Sequence, residues 1–167
     1  RANSPFYACA SLSSVYIPDT VTHIGKWAFR QSGLTELTVP SSVARIDNKA
    51  CMDTNIASLS LYAGLLTRIS NYAFAENPLT TVVLPDSLNY VGKGAFRSND
   101  ALEMVFFGDG VTHISDAAFN GTNLSSVCTA NAVVQSRVTS IYAWSNIGVS
   151  VDVCSSPPSP PPAPHPP

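Results

Sequence analysis

Hydrophobic residues recur along the chain in a fixed order with a period of 22 or 23 residues. Successive copies start at Leu12, Leu34, Ile56, Leu79, Leu102 and Leu124. Seven positions in each of the first five copies are apolar; in the first copy they are Leu12, Val15, Ile17, Val21, Ile24, Ala28 and Phe29. All 35 of these positions are apolar, whereas random placement at the overall hydrophobic content of 45% would make about 16 of them so. The pattern predicts that each copy is one structural unit.

Each copy predicts one short β-strand and no helix. Val15, Tyr16 and Ile17 alternate with period two, and a proline follows this stretch in three copies, where it ends a strand. No part of a copy shows helical periodicity over the roughly 10–12 residues that a helix needs. A unit with one strand cannot bury its own apolar face. The copies are therefore expected to stack as coils, with parallel strands about 4.8 Å apart.

One position of the repeat predicts an aromatic stack inside this solenoid. Its occupants are Phe6, Phe29, Phe74, Phe96 and Phe119, with Cys51 in place of phenylalanine in the second copy. The two residues that lengthen individual copies fall within 61–66 and 96–102 and leave the apolar pattern intact. Insertions of this kind belong to surface connections, so they mark the bends of the coil.

The pattern LxxVxIPxxVxxIxxxAF closely resembles the BspA-type leucine-rich repeat, from Phe6 to about Thr129. The resemblance implies a leucine-rich-repeat solenoid, mainly β, whose short parallel strands form one concave sheet. It also implies five full coils of about 22–23 residues plus partial end coils. Proteins of this family are mostly described as cell-surface adhesion and binding proteins with diverse targets. The repeat therefore implies a scaffold and leaves the binding site open.

The chain divides into three segments. Residues 1–129 form the solenoid and start in mid-repeat, so upstream repeats or a cap are expected in the full-length protein, because natural solenoids cover their terminal coils. Residues 130–154 are expected to form a degenerate last coil that acts as a C-terminal cap. Residues 155–167 are proline-rich and predict an extended polyproline II tail. This tail is a spacer, a ligand for SH3 or WW domains, or a module that resembles hydroxyproline-rich wall proteins.

The four cysteines form two groups. Cys9 and Cys51 lie two coils apart, near 10 Å at the strand spacing, which exceeds the limit of about 7 Å between the Cα atoms of a disulfide. They are expected to be free, buried thiols. Cys128 lies at the final strand and Cys154 at the end of the cap, so a disulfide between them is geometrically feasible. Whether it forms stays open, because the redox compartment is itself inferred.

Composition and charge exclude two classes of partner. The chain has nine Lys and Arg against eleven Asp and Glu, a net charge of −2, and we therefore expect no nucleic-acid binding. No apolar run approaches the roughly 18 residues of a membrane span, so no membrane insertion is expected. Asn120 and Asn123 stand in glycosylation sequons, a number close to that expected by chance in a Ser- and Thr-rich chain.

Catalytic motifs are missing from the sequence. His23 and His113 occupy one repeat position four coils apart, about 18–20 Å at the strand spacing, too far to share a metal ion. The chain lacks a GxSxG elbow, a phosphate-cradling glycine loop and a CxxC pair. Asp19, Asp86 and Asp109 follow strands at equivalent positions, where aspartate is a common turn former. We therefore expect no enzyme, no cofactor and no metal site.

The layout of the BspA-type repeat implies which side chains face the concave surface. These are the residues before, between and after the two inward side chains of each strand. The first coils then present mostly hydroxyl groups, with Tyr16 as an aromatic. The fourth and fifth coils present Val83, Met104 and Phe106 as an apolar patch with Tyr62 at its edge. Such clusters are favoured as interface anchors. Either the patch binds a ligand, or the cap or a neighbouring segment covers it.

A second row of side chains precedes the apolar residue of each second half-coil. Its members are His23, Arg45, Arg68, Tyr90 and His113. Arg45 and Arg68 would be like-charged neighbours, which is mildly unfavourable unless an anion bridges them. The row either faces solvent, with its charges balanced by scattered Asp and Glu, or binds a sulfated or acidic glycan.

These features predict a non-enzymatic binding module at a cell surface, in a cell wall or in the extracellular space. Its ligand is a protein or a glycan that contacts the concave face. Two alternatives remain: a structural spacer or wall component without a dedicated ligand, and a targeting domain of a larger enzyme.

Overall fold

A computed structural model describes residues 4–129, 134–136 and 150–152, the last of these by backbone alone. Five two-residue strands run through the described part: β1 (His23–Ile24), β3 (Arg45–Ile46), β5 (Arg68–Ile69), β7 (Tyr90–Val91) and β9 (His113–Ile114). The longer strands are β2 (Glu36–Val39), β4 (Ser58–Leu61), β6 (Thr81–Leu84), β8 (Met104–Phe107), β10 (Ser126–Cys128) and β11 (Ser150–Asp152). Residues 134–136 form a single helical turn.

Neighbouring coils pair in parallel through equivalent positions of the repeat. Leu37 pairs with Leu59 in the next coil, and Val105 pairs with Val82 on one side and Val127 on the other. The two-residue strands form a second sheet of five strands in the order β1-β3-β5-β7-β9. The predicted mainly β solenoid is thus confirmed. The second to fifth coils each contribute a longer strand to one side and a two-residue strand to the other, so the prediction of one strand per copy is wrong.

The core lies between these two sheets and contains all 35 apolar positions of the repeat. Thirty of them are buried, and five, Leu12, Val15, Val21, Ala28 and Leu59, are partly buried against the rest. The aromatic stack also forms: ring centroids lie 5.6 Å apart for Phe74 and Phe96, and 5.3 Å apart for Phe96 and Phe119. Cys51 is fully buried in the gap between this run and the stacked pair of Phe6 and Phe29. The recurring apolar positions therefore identify the side chains that form the core.

The longer strands do not form one uninterrupted sheet. They separate into β2-β4 and β6-β8-β10-β11, with β4 and β6 side by side but without a strand ladder. The junction is irregular on both sides, because an exposed bend at residues 62–65 follows β4 and Pro78 precedes β6. Proline has no N–H to donate to the preceding coil.

The first predicted strand is also missing. Residues 15–17 form no strand, although Ser13 O accepts a hydrogen bond of 3.3 Å from Thr35 N–H in the next coil. This segment belongs to the first coil and has a described neighbour on one side only, so it lacks the pairing that an interior strand has on both sides.

A column of buried polar side chains runs beside the aromatic stack, three residues after it in each coil. Its members are Ser32, Thr54, Asn77, Asn99 and Thr122. Asn77 Nδ2 donates to the carbonyl oxygens of Cys51 at 2.8 Å and Ala75 at 3.1 Å, and its Oδ1 accepts from Ile56 N–H at 3.1 Å. Asn77, Asn99 and Thr122 thus satisfy backbone groups that would otherwise be buried without these partners. Counting apolar positions gave no signal for this column.

Candidate functional site

The register of β6 and β8 places the apolar patch on one side of the sheet. Val83 pairs with Phe106, and Thr81 pairs with Met104. Val83, Met104 and Phe106 are half-buried, whereas the intervening Val82 and Val105 point into the core and are buried. Alternation along a strand explains this difference, because successive side chains point to opposite faces. The three residues therefore lie together on the outward face of the sheet, and we call them the concave patch.

The two other aromatic residues assigned to this face lie in earlier coils. Tyr62 is half-buried and follows β4 in the bend, where its N–H donates to Val39 O at 3.1 Å. Tyr16 lies in the first coil and is 46% exposed. The equivalent positions in the two coils between Tyr16 and Val83 are Thr38 and Ser60, which pair with each other. Tyr16 and the concave patch are thus separated by two polar rungs.

On the side of the later coils, the concave patch adjoins the last two strands of the sheet, β10 and β11. Phe106 pairs with Cys128 of β10, and Cys128 in turn pairs with Asp152 of β11. β11 therefore extends the edge of the sheet in parallel and lies next to β10. The remainder of the predicted cap, the glycine- and serine-containing residues 137–149, and the tail at 155–167 lie outside the described residues.

The predicted second row forms a stacked column on the five-stranded sheet. Arg45 pairs with Arg68, Arg68 with Tyr90, and Tyr90 with His113. The Tyr90 and His113 rings are parallel with centroids 4.7 Å apart, and Arg68 Cζ lies 3.7 Å from the Tyr90 ring centroid. His23, at the other end of the row, is exposed and hydrogen bonds to Thr22 Oγ1 at 2.8 Å. The guanidinium of Arg68 therefore lies over the face of the Tyr90 ring.

A pocket of about 330 Å³ opens beside this column. Three coils contribute its lining residues, Lys26, Arg45, Asp47, Asn48, Arg68 and Ser70. Arg45 Nε and Asp47 Oδ1 form an ion pair at 2.7 Å. Sequence reasoning identified Arg45 and Arg68 but missed the other four residues. A signal existed for Asp47, because residues i and i+2 of an extended segment point to the same side.

Charge is segregated between the two halves of each coil. All seven Lys and Arg residues between Leu12 and Asn123 lie in the second half of a coil, beyond the turn that follows the longer strand. Five acidic residues share these second halves: Asp47, Asp53, Glu76, Asp100 and Asp116. The longer-strand segments and the turns directly after them carry acidic charges alone: Asp19, Glu36, Asp86, Glu103 and Asp109. The side of the solenoid that contains the pocket is thus more positive than the side that contains the concave patch.

The cysteines differ in environment. Cys51 is fully buried and free, and its burial raises the pKa of its thiol well above the usual value of 9.0. Cys9 is free but only half-buried, so the expectation of burial is wrong for this residue; it lies in the partial coil before Leu12, which has a described neighbour on one side only. Cys128 takes part in a disulfide bond. Cys154, the partner considered from the sequence, lies outside the described residues.

The two sequons lie in an exposed bend between coils. Asn120 and Asn123 are both exposed. Asn123 Nδ2 donates to Asp100 O at 2.6 Å, and Thr122 is buried with its hydroxyl donating to Phe119 O at 2.8 Å. The asparagine of the first sequon is therefore accessible, while its threonine is held in the buried polar column.

Within residues 4–129, 134–136 and 150–152 no group of three or more His, Cys, Asp and Glu side chains is placed to hold a metal ion. Within the same ranges no helix has both the length and the hydropathy needed to cross a membrane.

Two solved structures show similarity to this chain. A pneumococcal vaccine antigen, PcpA, aligns with a TM-score of 0.52 and 21% identity over 64% of this chain and 35% of its own. A leucine-rich repeat protein from Bacteroides ovatus aligns with a TM-score of 0.35 and 17% identity over 76% of this chain and 45% of its own. The chain thus spans less than half the length of either protein. No curated protein matches it.

The sequence family is shown by the repeat itself. The model for the BspA type leucine rich repeat region (6 copies) matches residues 2–125, about three quarters of the chain. The matched range contains the five coils whose apolar positions form the core. This chain belongs to the BspA-type leucine-rich repeat family.

Proposed function

We propose that the protein is a non-enzymatic binding module of a cell surface or the extracellular space, and that its ligand, a protein or a glycan, contacts the concave patch. The observation that carries the proposal is the pairing of Val83 with Phe106. It brings an aliphatic and an aromatic side chain together on the outward face, next to Met104. Aromatic and Met side chains of this kind are enriched at the centres of protein interfaces.

A binding role is favoured over a spacer by the contrast between coils. The positions equivalent to Val83 and Phe106 are Thr38 in the second coil and Ser60 in the third. A spacer needs only the buried positions, and polar residues would serve as well on its outward face. Apolar side chains on two adjacent rungs add a small cross-strand contribution to stability, but holding the coils together does not require them. Contact with a docked ligand accounts for their presence.

An extracellular location is supported by two observations. A vaccine antigen of pneumococcus has the same fold. Cys128 is disulfide-bonded, and structural disulfides persist in oxidising environments such as the extracellular space. A targeting domain of a larger enzyme stays the main alternative, because the solenoid would then bind while another part of the protein catalyses.

The proposal is tested by comparing two variants at one repeat position. The purified chain is screened against immobilised glycans and secreted proteins, and the dissociation constant of each specific ligand is then measured. Phe106→Ala is expected to weaken binding at least about tenfold, as for an interface anchor. Thr38→Ala, at the same position three coils away, is expected to change it less than about twofold.

Thermal unfolding of both variants serves as the control for folding. A folded Phe106→Ala protein that binds as tightly as the unaltered chain would refute a role for the concave patch. Equal losses in Phe106→Ala and Thr38→Ala would refute it as well, because the ligand would then recognise the whole sheet. The absence of any specific ligand would favour the spacer.

A further inference from the structure

We propose that the pocket lined by Lys26, Arg45 and Arg68 is a second site, which binds an anionic sugar unit through its carboxylate or sulfate group. The pocket lies on the five-stranded sheet, away from the concave patch. It is a depression of about 330 Å³ that is open to solvent, so a sugar unit can enter while the rest of a saccharide stays exposed. The inference does not depend on the proposed function of the concave patch.

The charges of the pocket are incompletely compensated. Lys26, Arg45 and Arg68 contribute three positive charges, and Asp47 contributes the one negative charge of the lining. Asp47 pairs with Arg45 at 2.7 Å. Lys26 and Arg68 make no ion pair within the described part of the chain. Arg45 and Arg68 also pair directly across β3 and β5, so two like-charged residues lie on neighbouring strands with backbones about 4.8 Å apart and repel each other mildly. An oxyanion between them would relieve this repulsion.

Aromatic contacts hold the two unpaired cations in place. Lys26 Nζ lies 4.2 Å from the centroid of the Trp27 ring, and Arg68 Cζ lies 3.7 Å from that of Tyr90. A guanidinium that stacks on a ring through its flat face keeps its N–H donors in the plane for another partner. The Tyr90 ring is itself supported by His113. Arg68 is thus positioned by the protein without using up the groups that bind carboxylate or sulfate.

The other lining groups fit hydroxyls better than a bare anion. Asn48 Oδ1 accepts from Asn71 N–H at 3.2 Å, which fixes the side chain and leaves its Nδ2 as a donor. Ser70 adds a hydroxyl group, and the second carboxylate oxygen of Asp47 is an acceptor for hydroxyl donors. A carboxylate in the lining repels a simple anion but accepts hydrogen bonds from a sugar. The combination therefore favours an acidic saccharide.

The test uses a chondroitin sulfate tetrasaccharide as the probe, titrated into the full chain in 0.15 M NaCl with calorimetric detection. Lys26→Ala and Arg68→Gln are expected to weaken binding about three- to fivefold each, as for the loss of an exposed charge pair. The matched control is Lys93→Ala, which removes the same charge from the repeat position equivalent to Lys26. Lys93 lies three coils from Lys26, about 14 Å, and outside the pocket lining, so its loss should weaken binding less than Lys26→Ala does.

Further arms separate the sugar from its charge. Arg68→Lys keeps the charge and should retain more affinity than Arg68→Gln. A neutral tetrasaccharide of N-acetylglucosamine should not bind, and sodium sulfate and a hexaglutamate peptide should bind more weakly than the acidic tetrasaccharide. Phe106→Ala should leave all of these affinities unchanged, so that failure here is distinct from failure of the concave patch.

The proposal is overturned if the acidic tetrasaccharide does not bind the unaltered chain. It is also overturned if Lys93→Ala weakens binding as much as Lys26→Ala, since the attraction would then come from the general charge of the surface. Binding of sodium sulfate or hexaglutamate that equals that of the tetrasaccharide would identify a site for bare anions or acidic peptides and would equally refute it.

Discussion

The hydroxyl group of Thr54 donates a hydrogen bond to Oδ1 of Asn77, the residue at the same repeat position one coil later. The bond is buried and crosses between coils, as do the bonds from Asn77 Nδ2 to Cys51 O and from Ile56 N–H to Asn77 Oδ1. One amide side chain therefore joins two coils through several polar contacts. In a solenoid each coil is stabilised mainly by its neighbours, so such contacts contribute directly to its cooperativity.

Replacing Asn77 with alanine is expected to destabilise the protein by about 2–5 kcal/mol. The substitution leaves the carbonyl of Cys51 and the N–H of Ile56 buried without this partner, and each such group costs about 1–3 kcal/mol. Urea unfolding followed by circular dichroism measures the change. Asn89→Ala is the control, because Asn89 is exposed and its loss should cost less than about 0.5 kcal/mol. Similar losses in both variants would contradict a special role for Asn77.

Phe74→Ala is expected to reduce the free energy of unfolding by about 3–5 kcal/mol, because a large side chain is deleted from a close-packed interior. Phe74 is fully buried and stacks on Phe96 with centroids 5.6 Å apart. Ser58→Ala, at an exposed position of β4, should cost less than about 0.5 kcal/mol. Equilibrium denaturation of the two variants checks the difference, and comparable costs would invalidate the assignment of inside and outside.

The two free thiols are expected to react at very different rates. Thiolate is the reactive form, and burial raises the pKa of Cys51, so its thiol should stay protonated in the native state. Alkylation with iodoacetamide at pH 8, followed by peptide mass spectrometry, should modify Cys9 and leave Cys51 intact until denaturant is added. Rapid modification of Cys51 in the native protein would show that the gap in the aromatic stack opens to solvent.

The same shift makes stability depend on pH. The folded-state pKa of Cys51 lies above the ordinary value of 9.0, so its contribution is complete below pH 9 and declines as pH rises further, when the unfolded chain releases the proton. Between the unfolded-state and folded-state pKa of Cys51, the free energy of unfolding falls by up to about 1.4 kcal/mol for each unit rise in pH.

Two glycines at one repeat position should respond differently to alanine. A Cβ atom on Gly92 would lie 2.7 Å from the carbonyl carbon of Ser70 in the preceding coil, whereas one on Gly25 would meet no atom of the described residues within 4 Å. Gly92→Ala is therefore expected to cost about 1–3 kcal/mol through overpacking. Gly25→Ala should be neutral or stabilise by up to about 1 kcal/mol, because it restricts the unfolded chain. The melting temperatures of the two variants test this difference. An equal decrease in melting temperature for Gly25→Ala and Gly92→Ala would refute the role of the close contact at Gly92.

The sequence predicted the interior better than it predicted the edges. Side-chain burial follows the repeat directly, because all 35 recurring apolar positions between Leu12 and Phe119 lie in the core or pack on it. The break between β4 and β6 depends on Pro78 and on an added residue in the preceding bend, which are features of one junction and not of the repeat. The missing first strand depends on what lies beside the terminal coil.

The candidate sites were predicted in part for a similar reason. Period-two alternation and register placed Val83 beside Phe106, and the spacing of the copies placed Arg45 beside Arg68. The remaining pocket residues come from positions two or three residues after the row, where no apolar pattern draws notice to them. Their convergence depends on the path of the bend. The buried Asn77 was missed because a polar side chain inside the solenoid contradicts the pattern that identified the interior.

The separation of charge between the two halves of each coil gives the rod a preferred side. Close to a negatively charged matrix or envelope, the long edge rich in lysine and arginine would be attracted, and the acidic strand edge would be repelled. The solenoid would then adopt one preferred rotation about its long axis. In this orientation the longer strands face away from the negatively charged surface. The charge distribution would thus determine which side of the protein faces a binding partner.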